Sequence, residues 1–143
     1  MWLEKFITFS ATLPDDTEYD ENEEIVRPGG RNVAELLREE LHSRGVECGS
    51  VYEHSFYGWA FDAEYSGLPF WLMLQWPGEW LLIVKACPGL LRRWFSRAWH
   101  DAPPKFLALV TDVLGDEANF SNLKVMTRDE SERGDRAGGS KGP

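Results

Sequence analysis

The chain has 143 residues, a net charge of −9 and a hydrophobic share of 43%. This is the profile of one domain able to bury roughly two-thirds of its unfolded surface without metals or disulfides. No apolar run approaches the ~20 residues needed to span a bilayer, and Lys5 interrupts the only stretch that could serve as a leader. The expectation is a cytoplasmic chain that does not enter a membrane. The acidity is local: Asp15, Asp16, Glu18, Asp20, Glu21, Glu23 and Glu24 put seven negative charges within ten residues and leave −2 for the rest. Without a clustered basic surface, nucleic acid is not an expected partner.

Residues 3–13 alternate loosely and carry β-branched and aromatic side chains, which predicts a first strand ended by Pro14. Residues 15–30 are acidic and close with Pro28-Gly29-Gly30, reading as a mobile surface loop. A helix follows. Asn32 suits its N-cap, Glu35 stands at capping-box spacing, and Val33, Leu36, Leu37 and Leu41 mark one face before Gly45 stops it.

Residues 46–54 read as a weak strand loosened by Gly49. Residues 56–65 alternate cleanly, with Ser66-Gly67 as a tight turn, and 68–76 and 79–86 are apolar on both faces, as central strands are. Trp76-Pro77-Gly78-Glu79 suits a type II turn between them. Residues 56–86 are therefore expected to form an antiparallel meander. A short amphipathic helix is predicted over 90–100, a second helix after Pro103-Pro104 up to Gly115, and an edge strand at 122–127. From Arg128 onward no large apolar residue appears, so 128–143 is expected to be a disordered tail on a single domain spanning 1–127. The fold class is α+β: an antiparallel sheet of about five strands with two to three helices on one face. With seven Trp and eight Phe, aromatics rather than Leu and Ile are expected to dominate the core.

Catalytic signatures are absent: there is no nucleophile elbow, phosphate-cradling glycine loop, dinucleotide fingerprint or zinc-binding HExxH. No cofactor or metal is expected. The acidic run lacks the glycine and terminal glutamate of a calcium loop. Cys48 and Cys87 match no zinc or redox spacing and read as buried free thiols, and whether they pair stays open. His54, Asp62 and Glu64 are the best acid–base set and the basis of an alternative reading as a small enzyme or ligand-binding pocket. Their bland reading is the polar face of a strand. A Cys48–His54 pair would need a sharp bend in the strand.

Arg92, Arg93 and Arg97, interleaved with Trp94, make the only basic cluster, and Trp76 and Trp80 flank one turn. Both residue types are common at binding hot spots, and both also serve ordinary packing. Small size, an acidic segment, an aromatic meander and no catalytic parts resemble bacterial immunity or inhibitor proteins in outline, with no diagnostic motif behind the likeness. The leading expectation is a non-enzymatic protein-binding domain, immunity-like or regulatory, using residues 15–24 or meander aromatics against a protein partner, in particular a basic one. A structural homodimer joined through sheet edges or tryptophans is the further alternative.

Overall fold

The computed structural model describes residues 4–54, 58–75, 79–87 and 98–126, with side chains from residue 103 onward in the last segment. Nine strands and two helices follow one another in it: β1 (Glu4–Ala11), β2 (Glu18–Tyr19), β3 (Ile25–Arg27), α1 (Arg31–Ser43), β4 (Glu47–Cys48), β5 (Tyr52–Glu53), β6 (Gly58–Tyr65), β7 (Leu68–Gln75), β8 (Trp80–Ala86), α2 (Ala98–Asp116) and β9 (Phe120–Met126). The class is α+β. Seven strands form one sheet in the order β4-β6-β7-β8-β1-β9, with β5 beside β4 along β6, and every pairing is antiparallel. The remaining two, β2 and β3, make a separate hairpin.

The meander follows from period-two patterning. Trp59, Phe61 and Ala63 on β6, Leu68, Phe70, Leu72 and Leu74 on β7, and Leu82, Val84 and Ala86 on β8 share one buried face. Ser66 (φ 53°) and Gly67 (φ 76°) both take left-handed backbone, the requirement of a two-residue hairpin turn. On the same face lie Ile7 and Phe9 of β1, with Val33, Leu37 and Leu41 of α1 and Phe106, Val110 and Val113 of α2 packed over them. The helices touch each other; α1 leans on β4 and β6, and α2 on β7 and β9. Phe70 stacks on Phe106 at 4.2 Å and Phe9 meets Phe120 edge-on at 5.1 Å. Each buried ring contributes about 1.5–3 kcal/mol. Leucine shares this core equally: Leu37, Leu41, Leu72, Leu74, Leu82 and Leu114 are as fully buried as Phe9, Phe61, Phe70 and Phe106.

Four expectations need correction. Helix α1 begins at Arg31 with Gly30 as N-cap, so Asn32 lies inside its first turn, and Glu35 pairs with Arg31 at 3.7 Å instead of closing a capping box. The 46–54 strand is two short pieces, because Gly49–Val51 leave the ladder. There Gly49 N–H donates to the Asp62 carbonyl, while the Arg38 guanidinium of α1 takes the Gly49 and Cys48 carbonyls at 2.6 and 3.1 Å. Helix α2 runs through Pro103 and Pro104 rather than starting after them. Two missing N–H donors there cost hydrogen bonds only to the helix's opening residues. The acidic segment 15–30 is not a plain loop: it holds the β2–β3 hairpin.

The end of α1 matches expectation. Gly45 adopts φ 93°, its N–H reaches the His42 carbonyl, and Val46 N–H reaches the Leu41 carbonyl, both at 3.1 Å. That is a Schellman stop, with buried Val46 packing where such a stop places its apolar residue. The predicted helix over 90–100 and the tail 128–143 lie outside the described residues, apart from the backbone of 98–100, which belongs to α2.

Candidate functional site: the acidic hairpin and its root

The seven acidic side chains divide into two groups. Asp16 caps α1 from a distance, one oxygen accepting the Gly30 N–H at 2.8 Å and the other the Asn32 N–H at 2.9 Å. A carboxylate at a helix N-terminus satisfies orphan donors and faces the positive end of the helix dipole. Asn32 contributes differently, donating from its side-chain amide to the Pro14 carbonyl at 2.7 Å. Asp15 Oδ1 accepts both the backbone N–H and the hydroxyl of Thr17, and these bonds hold its carboxyl below the ordinary carboxylate range. Asp20 Oδ1 accepts the N–H groups of Asn22 and Glu24, each at 2.9 Å, and closes the hairpin loop with Glu23 in left-handed backbone at φ 63°. Glu18, Glu21, Glu23 and Glu24 are exposed and, among the described residues, take no side-chain hydrogen bond or ion pair. Beside them, Tyr19 is 58% and Val26 55% exposed, and Ile25 is 37% exposed.

The root of the hairpin is tightly pinned. Trp59 is buried and its indole N–H donates to the Pro28 carbonyl at 3.0 Å, with the Arg31 guanidinium 5.7 Å from the ring centroid. Gly29 is pressed against Thr17. Gly30, at φ 111°, is pressed against the Trp80 ring, so that an added Cβ would come within 2.7 Å of Trp80 Cζ3. Between this root and the end of β1 lies a half-open cleft of about 240 Å³, lined by Ser10, Ala11, Leu13, Pro14, Asp15, Asp16, Gly29, Gly30 and Trp80.

The other candidates separate. His54 sets its ring edge-on to Trp71 at 5.1 Å, and the Trp71 indole N–H donates to the Tyr52 hydroxyl at 2.9 Å. Among the described residues no ion pair joins His54 to Asp62 or Glu64. His54 is level with Gly58 on β6, four positions from Asp62, roughly 13 Å along the strand. Asp62 and Glu64 instead line a shallow groove with Glu47, Cys48 and Pro69, in which Glu47 lies opposite Glu64 as a like-charge pair. The described residues contain no cluster of three or more His, Cys, Asp or Glu able to hold a metal.

The Cys48 thiol is half-buried and burial raises its pKa, offset in part by Arg38. Cys87 is exposed rather than buried as expected, yet its thiol is also raised by desolvation, with Lys85 lowering it and Asp62 raising it. Neither is an activated nucleophile. With β6 and β7 between their strands, the two cysteines lie roughly 14 Å apart, beyond a disulfide's reach. Trp80 opens β8 and lines the cleft, whereas Trp76, Arg92, Arg93 and Arg97 fall outside the described residues. No described helix is long and apolar enough to cross a membrane.

The sheet edges carry features that blunt pairing. The β4–β5 edge is broken into two-residue pieces, and β9 carries exposed Lys124 and a register shift opposite Thr8 and Ser10. The acidic residues look alike in the sequence, which marks neither the Asp16 cap nor the exposure of Tyr19, Ile25 and Val26. The β-branched pair Ile25-Val26, just before Pro28-Gly29, was the available sign of a strand.

No family model, no curated protein and no solved structure matches this chain.

Proposed function

We propose that this protein is a non-enzymatic binding domain whose β2–β3 hairpin docks on a basic protein partner, in the manner of an inhibitor, immunity or regulatory protein. The observation that carries this is the pairing of two features on one projecting element. Four exposed carboxylates, Glu18, Glu21, Glu23 and Glu24, with no side-chain hydrogen bond or ion pair among the described residues, share the hairpin with three exposed apolar side chains, Tyr19, Ile25 and Val26. The carboxylates steer a basic surface from a distance, and the apolar side chains supply area that leaves water on contact. The root supports the same reading. Asp16 and the Trp59–Pro28 bond fix the root of the hairpin on the body, and Asp20 closes its loop, so little ordering entropy is lost when a partner binds.

The test replaces Glu18, Glu21, Glu23 and Glu24 together with Gln, leaving Asp15, Asp16 and Asp20 in place. Wild type should retain a basic protein from lysate at low salt and release it near 1 M salt, where the screening length is about 3 Å. The variant should lose it with an unchanged melting temperature. Identical captured proteins from both chains would end the proposal.

A further inference from the structure

Resting on the reading above, the geometry points to a more specific contact: we infer that the cleft at the root of the hairpin receives one guanidinium side chain, an arginine of the basic partner. The cleft measures about 240 Å³, below the roughly 300–1,000 Å³ of cofactor and drug-sized pockets, so it suits a single side chain.

Its lining divides by chemistry. Ala11, Leu13 and Pro14 offer an aliphatic wall for the methylene stem of a long basic side chain. Trp80 offers an indole, the ring that attracts a planar cation best. Asp15 supplies the charge: its Thr17 bonds fall on Oδ1, and among the described residues Oδ2 takes no hydrogen bond or ion pair. Ser10 Oγ accepts the Asn122 side-chain amide at 3.2 Å. Asp16 has both oxygens occupied by α1 N–H groups and adds field rather than a direct contact. The four glutamates farther along the same element raise the local concentration of cations at this mouth. Charge complementarity and apolar walls thus select the same occupant: an aliphatic stem that ends in a cation.

The probe is N-acetyl-arginine amide, titrated into the ¹⁵N-labelled full chain, with the citrulline analogue as its uncharged isostere. Arginine amide should give saturable shifts at the Gly29 and Gly30 amides and the Trp80 indole in the millimolar range. Asp15→Asn should weaken binding about fivefold, and the citrulline probe should bind no better to wild type than arginine amide binds to that variant. Because Asn keeps an oxygen for Thr17 and the site is exposed, the variant's amide spectrum should otherwise match wild type. Absence of saturation, or shifts centred on Glu21–Glu24 instead of the cleft, would overturn the inference. Capture of a basic partner that depends on the four glutamates, with no arginine-amide binding, would sink the cleft alone. Arginine-amide binding without such capture would sink the partner reading and leave the cleft standing.

Discussion

Replacing Asp16 with alanine should destabilise the protein although the side chain belongs to an acidic surface segment. The carboxylate accepts two N–H groups from the start of α1, at 2.8 and 2.9 Å. Loss of a helix cap costs about 0.5–2 kcal/mol, and loss of a negative charge at the positive end of the helix dipole a further ~0.3–1 kcal/mol. Together these give about 2 kcal/mol. At about 4 °C per kcal/mol for a chain of this size, the melting temperature should fall by roughly 8 °C. Asp16→Asn keeps one acceptor and loses the charge, so it should fall about half as far. Glu21→Ala, an exposed carboxylate with no fold contact, should change stability by no more than about 0.5 kcal/mol. Thermal denaturation followed by circular dichroism, with urea titration as a check, reads all three. If Asp16→Ala proves as neutral as Glu21→Ala, the division of the acidic residues into fold-holding and free groups is wrong.

Gly30→Ala combines a positive φ of 111° with a Cβ that would meet Trp80 at 2.7 Å. It should cost at least about 2 kcal/mol, read as a lowered urea midpoint. The Cys48 and Cys87 thiols hold their protons more tightly in the fold than in the unfolded chain. Alkylation should therefore be slower at pH 7 than for an unfolded control and should accelerate above the ordinary thiol range, with Cys48 the slower of the two; fast labelling at pH 7 would contradict this. By the same sign, the stability these two groups contribute is present below the ordinary thiol pKa and is lost as pH rises through the raised one. Lys124→Val removes the charge from the exposed β9 edge and should produce concentration-dependent self-association in sedimentation, whereas the wild-type edge should remain unpaired.

The meander and α1 were legible because both rest on periodicity. Residues 56–86 alternate, and Val33, Leu37 and Leu41 recur at helical spacing before a glycine stop. What failed to show was long-range. No spacing rule links a carboxylate at position 16 to a helix starting at 31, and Asn32 looked like the cap because local patterns weigh only neighbours. The break after Cys48 is held by Arg38 of α1, which reaches across to the Cys48 and Gly49 carbonyls. Pro103-Pro104 suggested a helix start, yet tertiary packing of Phe106 and Val110 accompanies a helix that already includes Ala98. In the candidate site, charge was visible from composition. Which charges remain free was not, since that depends on hydrogen bonds from Thr17, Asn22, Gly30 and Asn32.

The most direct measurement places a photo-crosslinking phenylalanine analogue at Tyr19 on the hairpin and, in a second preparation, at Asp112 on the exposed side of α2, and irradiates both in lysate at low and high salt. If the hairpin is the docking element, the Tyr19 position yields one adduct with a basic protein that disappears at high salt, and the Asp112 position yields none. Adducts from Asp112 with none from Tyr19 would contradict it.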